Sequence, residues 1–269
     1  MSVLLMTVWL TGCVQEELGS TPSPTGNGIR FTLTVPDVNL PSVSSRTMTG
    51  TGTAKKEDEI ETVDILVFDM SKTPAVYLEC VSATGVTQDL ADNSTVSFSA
   101  VLSPTTASTC IVVVANKELD NIVPGFIKGT TTKVEAMEKM LHAQTGKWLA
   151  DGSTTDGYTR IPMYGEKVIS KITPSMDPIT GINMKRMLAR IDIRNNSATS
   201  NFTVEEVYLA NYNTTGYIAP AWNTNGQVTD PAPDTPVLPV NSGKMTEEGD
   251  AILYSVKGNT PYDGEIYTF

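Results

Sequence analysis

Ile29-Arg30-Phe31-Thr32-Leu33-Thr34-Val35 alternates apolar and polar residues without a break, and Pro36 follows it. Successive side chains of a strand point to opposite faces, so Ile29, Phe31, Leu33 and Val35 share one face while Arg30, Thr32 and Thr34 share the other. This is the pattern of a half-buried strand, and Pro36, which has no N–H, ends it. The same period recurs downstream. Val96, Phe98, Ala100 and Leu102 line one face of Thr95 to Leu102, and Ala75 to Ala83, Cys110 to Ala115 and Ile161 to Ile172 read as further strands. Thr62 to Asp69 is apolar on both faces, with Val63, Ile65 and Val67 against Leu66 and Phe68, as in a strand deep inside a sandwich. The expected fold class is therefore mainly β.

One helix interrupts the strands. Val134, Met137, Met140 and Leu141 form an apolar stripe, Lys133, Glu135, Glu138 and Lys139 face outward, Gly146 stops the helix and Trp148 covers its end. The sequence 174–182, with Pro174, Pro178 and Gly181, reads as a linker. Alternation then restarts, with Met187, Ala189, Ile191 and Ile193 on one face. Phe202 to Asn213 reads as a strand with a bulge at Glu205-Glu206, Tyr217 to Pro239 as loop, and Ala251 to Val256 and Gly264 to Phe269 as strands. The division is a first β-sandwich over 29–173, the linker 174–182 and a second over 183–269. So few strands in the second unit, and an alternation that halts at Phe269, suggest an incomplete domain, or else a terminal strand that adds to another molecule's sheet.

The N-terminus carries an apolar run, Val3 to Leu10, followed by Thr11-Gly12-Cys13. The run is too short to cross a hydrocarbon core and suits a cleaved export segment over 1–12, with diacylglyceryl lipid on the Cys13 thiol. No Lys or Arg precedes Val3, which a start codon placed too late would explain. The competing readings are an ordinary secretory signal or a buried apolar N-terminus with an incidental cysteine. Residues 13–28 are rich in Gly, Ser, Thr and Pro and read as a flexible tether. The 269-residue chain has 40% hydrophobic and 18% charged residues, a globular balance. Its 19 basic and 30 acidic residues give a net charge of −11, which argues against nucleic acid and against electrostatic attachment to anionic lipid. Beyond Cys13 only Cys80 and Cys110 remain, either as a disulfide or as two separate buried thiols.

Chemistry finds little purchase. His142, the single histidine, sits in the helical stretch without nucleophile or metal spacing around it. Gly50 to Lys56 lacks the spacing of a phosphate loop. In the oxygen-rich turn Asp151 to Gly157 the twelfth position falls on Pro162, so an EF-hand is excluded. Glu205-Glu206 and Glu57-Asp58-Glu59 would serve a glycosidase only if the fold set two acids across a cleft. No catalytic, metal or cofactor residue is assigned.

Taken together, the lipobox, Glu59 to Asp69, Ile111 to Asn116, Ile161 to Glu166 and Lys185 to Ile193 resemble the Bacteroidales fimbrillin family, the FimA-like subunits and anchor proteins of type V pili. The resemblance implies two tandem transthyretin-like β-sandwiches. It also implies passage as an outer-membrane lipoprotein through Cys13 and cleavage by an arginine-specific protease after the first strand, for which Arg46 is the matching residue. In such proteins removal of the first strand opens a groove that a strand of a neighbouring subunit fills. Ile29, Phe31, Leu33 and Val35 match that displaceable strand.

The expected function is a cell-surface fimbrial subunit or pilus anchor without enzymatic activity, whose partners are other fimbrial subunits and, through lipid, the outer membrane. The alternative is a non-polymerising lipoprotein adhesin that binds host protein or glycan, with Trp222, Tyr212 and Tyr217 as stacking candidates; a surface hydrolase is a third option.

Overall fold

The computed structural model of the protein describes residues 28–35, 58–88, 95–143, 146, 148, 160–195, 205–210, 212–229, 238–239, 251–255 and 262–269. In chain order the strands are β1 (Ile29–Thr34), β2 (Val63–Asp69), β3 (Val76–Ser82), β4 (Thr84–Gln88), β5 (Thr95–Ala100) and β6 (Thr109–Ala115). Helix α1 (Lys133–Lys139) follows, then β7 (Leu141–Ala143), β8 (Met163–Ile169), β9 (Ile179–Asn183) and β10 (Lys185–Arg186). The remaining strands are β11 (Ala189–Asn195), β12 (Glu206–Leu209), β13 (Thr215–Tyr217), β14 (Ile252–Ser255) and β15 (Tyr262–Thr268). The chain is mainly β, as its alternation predicts.

Two sheets face each other. One has the order β4-β5-β1-β9 and the other β10-β8-β6-β2-β3. Between them lie Ile29, Phe31 and Leu33 of β1 with the following Val35, Val96 and Phe98 of β5, and Ile179 and Ile182 of β9. Val63, Ile65 and Val67 of β2, Ile111 and Val113 of β6, and Met163 of β8 meet them from the five-stranded sheet. Each such side chain contributes about 1.5–3 kcal/mol on burial. The five-stranded sheet is covered on its other face too. Leu66 and Phe68 of β2, Val112 and Val114 of β6 and Tyr164 of β8 pack against Ala136 and Met137 of α1, Met140, Leu119, Phe126, Ile218 and Ala219. That second layer is the reason Thr62 to Asp69 is apolar on both sides.

Helix α1 starts at a reciprocal capping box: the Thr132 side chain accepts from the Glu135 N–H while the Glu135 carboxylate accepts from the Thr132 N–H. It ends at Lys139, well before Gly146, because Met140 leaves helical geometry and Leu141 to Ala143 pair with Thr215 to Tyr217. His142 accordingly lies on a strand and not on the helix. Lys133, expected to face outward, is 1% exposed.

Residues 174–182, expected as a linker, carry most of β9, a strand of the first sandwich. Its Ile179 and Ile182 are buried, and Gly181, at φ +70°, supplies a bulge rather than a break. Strand β4 has a single large apolar residue, Val86, and so carries no alternation that marks it as a strand, and the strand expected over Phe202 to Asn213 is β12 alone among the described residues. Beyond β10 the chain forms two-stranded ladders, β11 with β15 and β12 with β14.

Candidate functional site

The four alternating residues of the opening stretch converge where the sequence places them, on the inner face of the first sheet. Strand β1 is an interior strand. On one side it pairs antiparallel with β5 over its whole length, from Ile29 opposite Ala100 to Thr34 opposite Thr95. On the other side it runs parallel to β9, with Phe31 opposite Ile179, Leu33 opposite Ile182 and Thr34 opposite Asn183. The Phe31 and Phe98 rings stack with centroids 5.0 Å apart and planes inclined by 8°. Lys167 of the opposing sheet donates to the Thr180 carbonyl at the β9 bulge.

The chain rejoins the sandwich at residues 58–62, which two amide side chains grip. Gln88 accepts from the Ile60 N–H at 3.0 Å and donates to the Asp58 carbonyl at 2.7 Å. Asn116 accepts from the Glu61 N–H at 3.0 Å and donates to the carbonyls of Glu59 and Ile161. Asn116 has φ 58°, a left-handed conformation that Asn tolerates better than most residues. Arg160 adds ion pairs to Glu59 at 3.3 Å and Glu61 at 2.6 Å. The approach to β2 is thereby tied by hydrogen bonds to β4 of the first sheet through Gln88 and to the end of β6 through Asn116, while Ile60 and Val63 pack in the same core as the inward residues of β1.

Beneath the helix the Lys133 ammonium donates to Glu166 Oε2 at 2.6 Å and to the Gly226 carbonyl at 2.7 Å, while the Tyr164 hydroxyl donates to the same Glu166 oxygen at 2.6 Å. Burial first, then the adjacent Glu166 carboxylate, hold the Tyr164 phenol far above its ordinary range. Gly226, at φ +74°, brings its backbone against Lys133, where a Cβ would meet the Lys133 Cβ at 3.2 Å. The cluster pins the 221–229 turn onto the helix N-terminus and is structural in geometry.

Cys80 and Cys110 are both free. They lie on β3 and β6, which flank β2, so two strand spacings of about 4.8 Å separate them, beyond the ~7 Å Cα separation a disulfide spans. Burial pushes the Cys80 thiol up to about 12 and the Cys110 thiol up to about 11. Tyr212 is buried, and Trp222, which meets Tyr217 edge to face at 5.0 Å, packs against the layer beneath the helix. The His142 and Trp148 rings lie with centroids 5.0 Å apart and planes inclined by 54°. Cys13, Arg46, Gly50 to Lys56 and Asp151 to Gly157 lie outside the described residues. Among the described residues no three His, Cys, Asp or Glu side chains gather as metal ligands, and no helix is long and apolar enough to cross a membrane. The amide grip of Gln88 and Asn116 and the Lys133–Glu166 pair were missed in the sequence, where isolated polar residues carry no periodic signal.

Fold and site define a β-sandwich protein whose first strand sits between two others in one sheet, while the opposing sheet is covered on its other face by a second core beneath the helix. The chain belongs to the family of fimbrillin-A associated anchor proteins Mfa1 and Mfa2, which matches residues 23–261. Among solved structures it is similar to a fimbrial assembly protein from Parabacteroides distasonis, with 15% identity over 89% of this chain and 85% of that one and a TM-score of 0.40. It is similar also to a candidate cell adhesion protein from the same species, with 18% identity over 90% and 70% of the two chains and a TM-score of 0.47. A candidate adhesin from Bacteroides ovatus shares 11% identity over 90% and 68%, with a TM-score of 0.39. No curated protein matches the chain.

Proposed function

We propose that this chain is a fimbrial subunit or pilus anchor of the bacterial cell surface, held to the outer membrane by lipid on Cys13, and that it joins other fimbrial subunits by strand exchange at the berth of β1. Membership of an anchor-protein family supports the fimbrial role. The observation that carries the exchange reading is the interior position of β1, with its apolar residues buried between the sheets.

Emptying that berth exposes four large apolar side-chain sites, about 6–12 kcal/mol at ~1.5–3 kcal/mol each, and leaves ladder groups unpaired. This is comparable to the whole stability of a domain, about 5–15 kcal/mol. A vacant berth is therefore tolerated only briefly, and a strand from another chain repairs both defects at once. Cleavage at Arg46 would release β1 from the rest of the chain while Gln88 and Asn116 keep residues 58–62 in place. The work of the protein is assembly and adhesion, without catalysis.

The mature N-terminus tests this. A chain beginning at Thr47 marks a processed shaft subunit, and an acylated Cys13 with β1 retained marks an anchor. A mature chain that carries neither, and that forms no complex with other fimbrial subunits, refutes the proposal.

A further inference from the structure

The two ends of β1 are held unequally. On the β5 side all residues from Ile29 to Thr34 are paired. On the β9 side pairing begins only at Phe31, opposite Ile179, so Ile29 and Arg30 lie ahead of that ladder. Within it, the step from Phe31 to Leu33 spans Ile179 to Ile182 on β9, one residue too many, and Gly181 with φ +70° forms the bulge. The far end is tighter. Leu33 and Thr34 are paired on both sides, the Met184 N–H donates to the Thr34 carbonyl at 2.8 Å, and Leu33 and Val35 are fully enclosed. Of the four inward residues Ile29 keeps the most exposure, 6% against 1% or less.

We infer that the β1 berth is filled from its Ile29 end: an extended segment of another chain, apolar at alternate positions, first takes the Ile29 site beside β5 and then displaces β1 stepwise toward Val35. This rests on the strand-exchange reading and adds a direction to it. Opening at Ile29 and Arg30 breaks pairing with one neighbour, whereas opening at Thr34 breaks pairing with two, so the free-energy cost of the first step is lower at the Ile29 end. Once the Ile29 site is taken, each later step exchanges the ladder pairing and apolar contacts of one β1 residue for equivalent ones. The open berth never appears as a whole.

The test uses the full chain with one engineered protease site between residues 36 and 57, cut so that β1 stays bound without a covalent link. A fluorescent peptide copying Gly28 to Val35 is added and its uptake followed by anisotropy. Uptake should accelerate with peptide concentration, because the incoming strand takes part in the displacement. Replacing the peptide residue equivalent to Ile29 by Ala should slow uptake by about tenfold, whereas Ala at the Val35 equivalent should leave uptake within about twofold and chiefly hasten release. Equal slowing by both peptides, the reverse order, or a rate independent of peptide concentration overturns the directional inference while leaving exchange itself standing. Failure of every peptide to enter, with the cut chain still folded by circular dichroism, overturns the exchange reading on which it rests.

Discussion

Phe31→Ala is the sharpest probe of whether β1 belongs to the core. Phe31 is 1% exposed and stacks on Phe98 across the β1–β5 ladder, a non-local contact between residues far apart in sequence. Cutting a buried phenylalanine to alanine removes its transfer free energy and leaves a cavity that the surrounding strands fill only in part, for a cost of about 3–5 kcal/mol. Arg30, its neighbour on the outward face, is exposed, and Arg30→Ala should stay within about 0.5 kcal/mol. Urea denaturation of both variants, extrapolated to water, measures the contrast, with hydrogen exchange of the β5 amides as a local readout. The expected result is a lower midpoint at an unchanged slope for Phe31→Ala, and faster exchange along β5. A cost below about 1 kcal/mol for Phe31→Ala, or equal costs for the two variants, would refute the claim that β1 is a working part of the sandwich.

Other perturbations separate the remaining parts of the argument. Glu166→Ala strands the Lys133 ammonium in a buried site and should destabilise by about 3–5 kcal/mol, whereas the double change Lys133→Met with Glu166→Leu should recover most of that in the same denaturation assay. Asn116→Ala puts alanine at φ 58° for about 1–2 kcal/mol and removes several hydrogen bonds worth about 1 kcal/mol each, so hydrogen exchange at Glu61 and Asn116 should accelerate while β5 stays protected. The thiols of Cys80 and Cys110 have folded values raised to about 12 and about 11 from an ordinary 9.0, so their contribution is complete below pH 9 and is lost as pH rises toward the folded values. Stability in a Cys13→Ser background should therefore fall between pH 9 and pH 11, and less steeply after Cys110→Ala. At pH 8 the buried Cys110 thiol should react with a disulfide reagent only on unfolding.

What the sequence revealed depended on whether a residue's environment is set by its own strand. The period-two faces of β1 and β5 follow from local geometry, and so does the two-faced apolarity of β2, which signals cover on both sides without saying what supplies it. The cover comes from α1, from Leu119 and Phe126 and from Ile218 and Ala219, segments far apart in the chain. Lys133 illustrates the limit. On the helix alone it belongs to the polar face, and only Glu166 of β8 together with the Gly226 carbonyl makes its burial sustainable. β9 hid behind its punctuation: Pro178 and Gly181 read as breaks, yet one precedes the strand and the other forms its bulge. Leu141 to Ala143 continued an apolar helical stripe, and pairing with Thr215 to Tyr217 turned it into a strand.

The two cores divide the labour that the proposed strand exchange would demand. Every inward residue of β1 belongs to the cluster between the sheets, and none belongs to the cluster beneath the helix. Strands β2 and β6 contribute to both, with alternate residues facing each. If β1 left, as the proposed exchange requires, one face of the five-stranded sheet would lose part of its cover while the other would keep Met137, Met140 and Phe126 in place. The free-energy loss would then fall on a single layer, and the sheet against which an incoming strand must pack would stay formed. A sandwich with only one core would lose its template together with its strand; under the proposed exchange, the helical layer would keep the template standing while the berth changed occupant.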